Sequence, residues 1–132
     1  MCFDTLEQQL GLRIENSERL QPDGSWTGSE KYGLVPGHAR LHPDGFTPNY
    51  PEGCKGTVFE YHGDYYHGFP PWHEAHESRV YRDQWGPDLF RNTMERMLLF
   101  KDQGYRVLYI WGSDWKRAQR GKVTLREALR EL

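Results

Sequence analysis

The chain has 132 residues, 36% of them hydrophobic and 27% charged, with a formal net charge of -2. Residues 1–132 are therefore expected to fold as one domain around one core, and a generally basic protein is excluded. Two cysteines without CxxC spacing exclude a zinc ribbon and a disulfide scaffold, and the absence of a long apolar run or a basic-then-apolar leader makes the cytoplasm the expected location, with no membrane partner.

"FDTLEQQLGL" predicts a short helix, capped by Asp4 or Thr5, with Leu6 and Leu10 four apart and Gly11 at its stop. Turn chemistry at Pro22, Asp23 and Gly24 makes the next stretch a loop. "KYGLVPG" predicts a short strand ending at Pro36-Gly37, and "ARLHPDGFTPNYPEG" a strand broken or closed by turns. "GTVFEYHG" is the strongest strand of the first half. Its alternation puts Val58, Glu60 and His62 on one face and Thr57, Phe59 and Tyr61 on the other.

"FPPWHEAHESRVYRDQWGP" reads as irregular. "DLFRNTMERMLLFKDQG" predicts a helix capped by Asp88, with Phe90, Met94, Met97 and Leu98 as its apolar stripe and Gly104 as its end. "YRVLYIW" predicts a buried strand, and "TLREALREL" a closing amphipathic helix capped by Thr124. The expected class is α/β, a small mixed sheet flanked by helices.

The chemistry concentrates around that strand. Glu60, His62, Asp64 and His67 fall within eight residues, a crowding that is costly unless the groups share a proton or a cation. If the strand carrying Asp44 pairs antiparallel with the one carrying Glu60, both carboxylates reach one hard divalent ion, with the Tyr61 carbonyl as a third oxygen. His62 could then take a proton or stabilise developing charge. The bland alternative makes Glu60 and His62 polar residues on a wet strand face. Asp64 either orients a neighbouring histidine or caps a turn.

His73 and His76 in "WHEAH" lack the spacing of a zinc-protease helix and read as loop residues, although a site using them with His62 and His67 is conceivable. Arg91 and Glu95 can pair on a helix surface, while Arg91 and Arg96 could instead meet phosphate or steady a carboxylate. Trp111 and Trp115 read as core before base-stacking residues. From Lys101 onward eight basic residues face four acidic ones. Lys116, Arg117, Arg120 and Lys122 are either phosphate contacts or a solvated helical face.

Taken together, "PDGFTPNY…GTVFEYHGDYYHGFP" and "QGYRVLYIWGSDW" resemble PD-(D/E)XK nucleases with a histidine in place of the lysine. More narrowly they are similar to very short patch repair endonucleases and to phage homing endonucleases of the EDxHD group. The resemblance spans about residues 4–115. It implies a restriction-endonuclease-like core (αβββαβ) with a C-terminal helix, and a Mg²⁺- or Mn²⁺-dependent endonuclease whose partner is DNA.

By that resemblance Asp44 is the principal metal ligand, Glu60 its partner and His62 the base or charge stabiliser. His67 corresponds to a second active-site histidine, Asp64 to the final aspartate of the homing group, and Glu7 to a supporting N-terminal glutamate. Two positions depart from the family pattern. Tyr65-Tyr66 stands where Phe or Tyr then Trp is usual, and Trp111-Gly112 where a carboxylate commonly follows the tryptophan. The structural zinc set of repair enzymes is also missing from the sequence. With little length for a specificity domain, selectivity is expected from loops 15–30 and 69–87, DNA shape or a partner protein.

Overall fold

The computed structural model describes residues 3–11, 14–16, 19–20, 26–27, 33–63 and 86–132. In chain order the elements are α1 (Phe3–Leu10), β1 (Glu15–Asn16), β2 (Arg19–Leu20), β3 (Trp26–Thr27), β4 (Gly45–Pro48) and β5 (Gly56–His62). There follow α2 (Gly86–Asp102), β6 (Arg106–Trp111), α3 (Gly112–Gln119), α4 (Leu125–Ala128) and β7 (Arg130–Glu131).

Five strands form one mixed sheet in the order β1-β4-β5-β6-β7, while β2 and β3 pair separately. β1, β4 and β5 are successively antiparallel, β6 runs parallel to β5, and β7 returns antiparallel along β6. A parallel pair needs a long crossover, and α2 lies in it. Alternation along β5 and β6 sorts their side chains between two cores. Phe59, Leu108 and Ile110 pack with Leu6, Trp115, Leu125 and Ala128 on the α1, α3 and α4 side. Val58, Val107, Tyr109 and Trp111 pack with Met97 and Phe100 of α2 on the other. The protein is thus α/β, with a small mixed sheet flanked by helices, and both tryptophans are core as expected.

Glycine stops behave as read. Gly11 at φ 68° donates its N–H to the Glu7 carbonyl at 2.8 Å, and Gly104 at φ 91° closes α2. α1 begins at Phe3, so Asp4 and Thr5 lie within its first turn rather than before it. Gly33–Gly37 is not a strand. His38 N–H bonds the Val35 carbonyl at 3.1 Å, a turn that still buries Leu34 and Val35.

α2 starts two residues before Asp88, which lies in its first turn and pairs with Arg91 at 2.5 Å. Its buried face runs through Leu89, Thr93, Met97 and Phe100, leaving Leu98 42% exposed rather than in the stripe. Successive residues lie about 100° apart around a helix, and the rotation that points Thr93, Met97 and Phe100 at the sheet carries Leu98 toward solvent.

The C-terminal segment is not one helix. α3 comes first, with Lys116 and Arg117 on an exposed helical face, and α4 is only one turn long, started by a capping box between Thr124 and Glu127 at 3.1 and 3.2 Å. Arg130 and Glu131 instead pair with Tyr109 and Leu108, and the Leu132 N–H bonds the Val107 carbonyl at 3.0 Å. The open side of β6 offers backbone partners that a continuing helix would leave unused.

Candidate active site

β4 and β5 differ in length, and that difference builds the site. Their ladder ends at Gly45 opposite Phe59, so Glu60, Tyr61 and His62 extend beyond their β4 partner. Asp44 sits at this edge, and its Oδ2 accepts the Tyr61 N–H at 2.8 Å. In return the Asp44 N–H donates to Glu60 Oε2 at 3.4 Å. Two carboxylates sixteen residues apart in sequence therefore converge where one strand outruns the other.

Glu60 is 1% exposed. Arg96 of α2 donates its Nε–H to Glu60 Oε1 at 2.9 Å, and its second arm reaches the His42 carbonyl at 2.5 Å. One guanidinium thus fastens α2 to the carboxylate and to the turn before Pro43-Asp44. Burial and the Asp44 charge outweigh Arg96, pushing the Glu60 carboxyl from an ordinary 4.5 up to about 8. Glu60 and His62 are not on a wet face. They point into the α2 side of the sheet, both almost fully buried.

The His62 ring packs 5.3 Å from the Trp111 ring and 5.8 Å from Tyr109, with Nε2 3.3 Å from the Met97 sulfur. Glu7 is half-buried on α1, whose Leu6 and Leu10 pack against the opposite, Phe59 face of the sheet. Among the described residues no three His, Cys, Asp or Glu side chains converge on a point that could hold a metal ion, so Glu7 does not complete a trio with Asp44 and Glu60.

Asp64 and His67 lie outside the described residues, as do Tyr65, Tyr66, His73 and His76. Lys116 and Arg117 are exposed on α3, Arg120 caps its C-terminus and Lys122 follows. Arg117 lies 3.7 Å from Asp114.

Arg96 was one of two arginines that sequence reading offered to a carboxylate, and the rotation of α2 selects it. Arg91 takes Asp88 instead. The His42 carbonyl carries no side-chain signal and could not have been found from sequence. No family model matches the chain, and no curated protein or solved structure matches it. No helix among the described residues is long and apolar enough to cross a membrane.

Proposed function

We propose that the protein is a metal-dependent DNA endonuclease that hydrolyses phosphodiester bonds. The observation that carries this reading is the meeting of Asp44 with buried Glu60 at the end of the β4–β5 ladder. The order α1, β1, β4, β5, α2, β6, with only the last strand parallel to its neighbour, supports a restriction-endonuclease-like core.

The carboxylate pair fits a hard divalent cation. Burial first and the Asp44 charge second raise the Glu60 carboxyl to about 8, so it carries a proton that a divalent ion would displace, and Mg²⁺ commonly binds through one or two carboxylates while keeping waters. Asp44 and Glu60 would hold Mg²⁺ or Mn²⁺, with the Tyr61 carbonyl as a further oxygen, and the ion would supply charge stabilisation at the phosphoryl and leaving oxygens. The Tyr61 N–H fixes the Asp44 carboxylate, and Arg96 fixes that of Glu60. His62, two residues along the same face, is the proton-handling group of this reading, and its aromatic packing holds the ring in place.

A second reading has one observation in its favour. Arg96 already partners Glu60, as it would in a silent nucleic-acid-binding module that kept the site as a structural ion pair. Supercoiled plasmid with Mg²⁺, Mn²⁺ or chelator, run beside Asp44→Ala and Glu60→Gln, separates the two. The nuclease gives metal-dependent nicked or linear DNA that both substitutions abolish. Folded wild-type protein that leaves duplex, mismatched and branched DNA intact would overturn the nuclease reading.

A further inference from the structure

On the sheet face away from Glu60, a cavity of about 320 Å³ opens between α1, α3 and α4. Its apolar wall includes Trp115, Val123 and Leu125, and its polar wall includes Gln9, Gln119 and Thr124. The Thr124 hydroxyl is committed, since it accepts the Glu127 N–H of the capping box. The Gln9 and Gln119 side chains are exposed, and neither carboxamide has a hydrogen-bond partner among the described residues.

Next to these lining residues in the chain stand Lys116, Arg120 and Lys122. All three are exposed, and none is paired with a carboxylate among the described residues. Arg117, by contrast, lies near Asp114. The cavity is thus lined by part of a largely buried indole and by two uncommitted amides, and three uncommitted cations stand beside its lining residues in the chain. An apolar ligand would leave the cations and amides unused, and a bare anion would leave the apolar wall unused. A nucleotide within a strand uses all three. Its base stacks on or against aromatic surface, its edge offers the paired donor and acceptor that a glutamine matches, and its phosphates meet Lys and Arg.

We propose that this cavity binds an unpaired nucleobase of a nucleic-acid strand, with Gln9 and Gln119 contacting the base edge and Lys116, Arg120 and Lys122 the flanking phosphates. Bases within a duplex are stacked and paired, so the cavity selects strands with an extrahelical or single-stranded base. α3 starts at Gly112, directly after the β6 residue that pairs with His62. Four to eight residues on, Trp115 to Gln119 lie about 6–12 Å along the helix. One strand could therefore pass over this sheet end between the cavity and the carboxylate pair. The inference rests on the proposed function for the cleavage of that strand, but not for its binding.

The test is anisotropy titration, in chelator, of labelled duplexes carrying one extrahelical base, the same duplexes with an abasic residue there, and fully paired controls, as DNA and as RNA. The extrahelical base is expected to bind at least about tenfold tighter than the abasic site, the discrimination expected of one good base contact. Gln9→Ala and Gln119→Ala should erase that difference without altering affinity for the paired duplex. Replacing Lys116, Arg120 and Lys122 together by alanine should weaken every duplex and flatten the salt dependence. Because all these side chains are exposed, unchanged melting temperatures identify variants that remain folded. Equal affinity for base and abasic duplexes would overturn the cavity proposal, and plasmid cleavage would still report separately on the nuclease. Failure to bind any oligonucleotide would overturn the cavity proposal together with the nucleic-acid reading.

Discussion

Two buried carboxylates in this protein are balanced in opposite ways. Asp114, 9% exposed near the start of α3, lies 3.2 Å from Arg130 and 3.7 Å from Arg117, two cations for one acid. Glu60 meets the Asp44 carboxylate and, among the described residues, one cation, Arg96. The first arrangement is complete as it stands and ties α3 to the β7 strand. In the second, burial together with the Asp44 charge keeps a proton on Glu60 until the pH rises to about 8. Ion pairing alone does not separate a structural acid from a functional one.

The largest effect expected from breaking the contrast is on activity. Asp44→Ala or Glu60→Gln should lower metal-dependent plasmid cleavage by more than about 100-fold, beyond what loss of an outer supporting contact costs. Arg130→Ala should leave the rate unchanged.

Stability should also respond to pH through Glu60. Its folded pKa of about 8 lies above the unfolded value near 4.5, so the folded state holds the extra proton between them. The Glu60 contribution is fully present below pH 4.5 and is lost as pH rises through about 8. The loss amounts to several kcal/mol at most. Urea denaturation from pH 4 to 9 should show this slope in the wild type and its absence in Glu60→Gln. Equal slopes would mean that Glu60 ionises normally in the fold.

Removing Arg96 sharpens the comparison further. Arg96→Ala leaves a buried acid beside another acid. We expect a cost of about 2–3 kcal/mol at pH 8, less than a fully buried broken pair because Arg96 is 34% exposed and Glu60 can take up a proton. Arg96→Lys should recover only part of this, since one ammonium cannot reproduce the fork to Glu60 and His42.

Adding the divalent cation of the proposed function should act the other way. Mg²⁺ or Mn²⁺ at ten times its dissociation constant stabilises a site that it occupies by about 1.4 kcal/mol. The melting temperature of wild-type protein should therefore rise, and that of Asp44→Asn should not. The smallest effect belongs to the balanced site. Arg130→Ala should cost under about 1 kcal/mol, because Arg130 is half-exposed and Arg117 remains. A larger loss in chemical denaturation would show that Asp114 depends on it.

Much of the frame was legible in the residues. β5, α2 and β6 follow from local content and period, Gly11 and Gly104 mark stops where only a positive φ continues the chain, and Thr124 with Glu127 spells its own cap. Alternation also put Glu60 and His62 on one face, and the two strands did bring Asp44 to Glu60 by antiparallel pairing. These are short-range properties, set by dihedral preference and side-chain period.

What sequence could not decide was depth, rotation and competition between partners. Period assigns a face but not its burial. The wet-face alternative for Glu60 and His62 failed only because α2 covers that side of the sheet. The rotation of α2 turned Met97 inward and Leu98 outward and gave Glu60 to Arg96 rather than Arg91. The closing helix yielded to β7 because β6 had an open edge, and Gly33–Gly37 became a turn although it supplies apolar side chains to the core. Each outcome depends on contacts across dozens of residues. Local propensity, worth tenths of a kcal/mol per residue, gives way there to buried area and backbone partners that exist only once the sheet has formed.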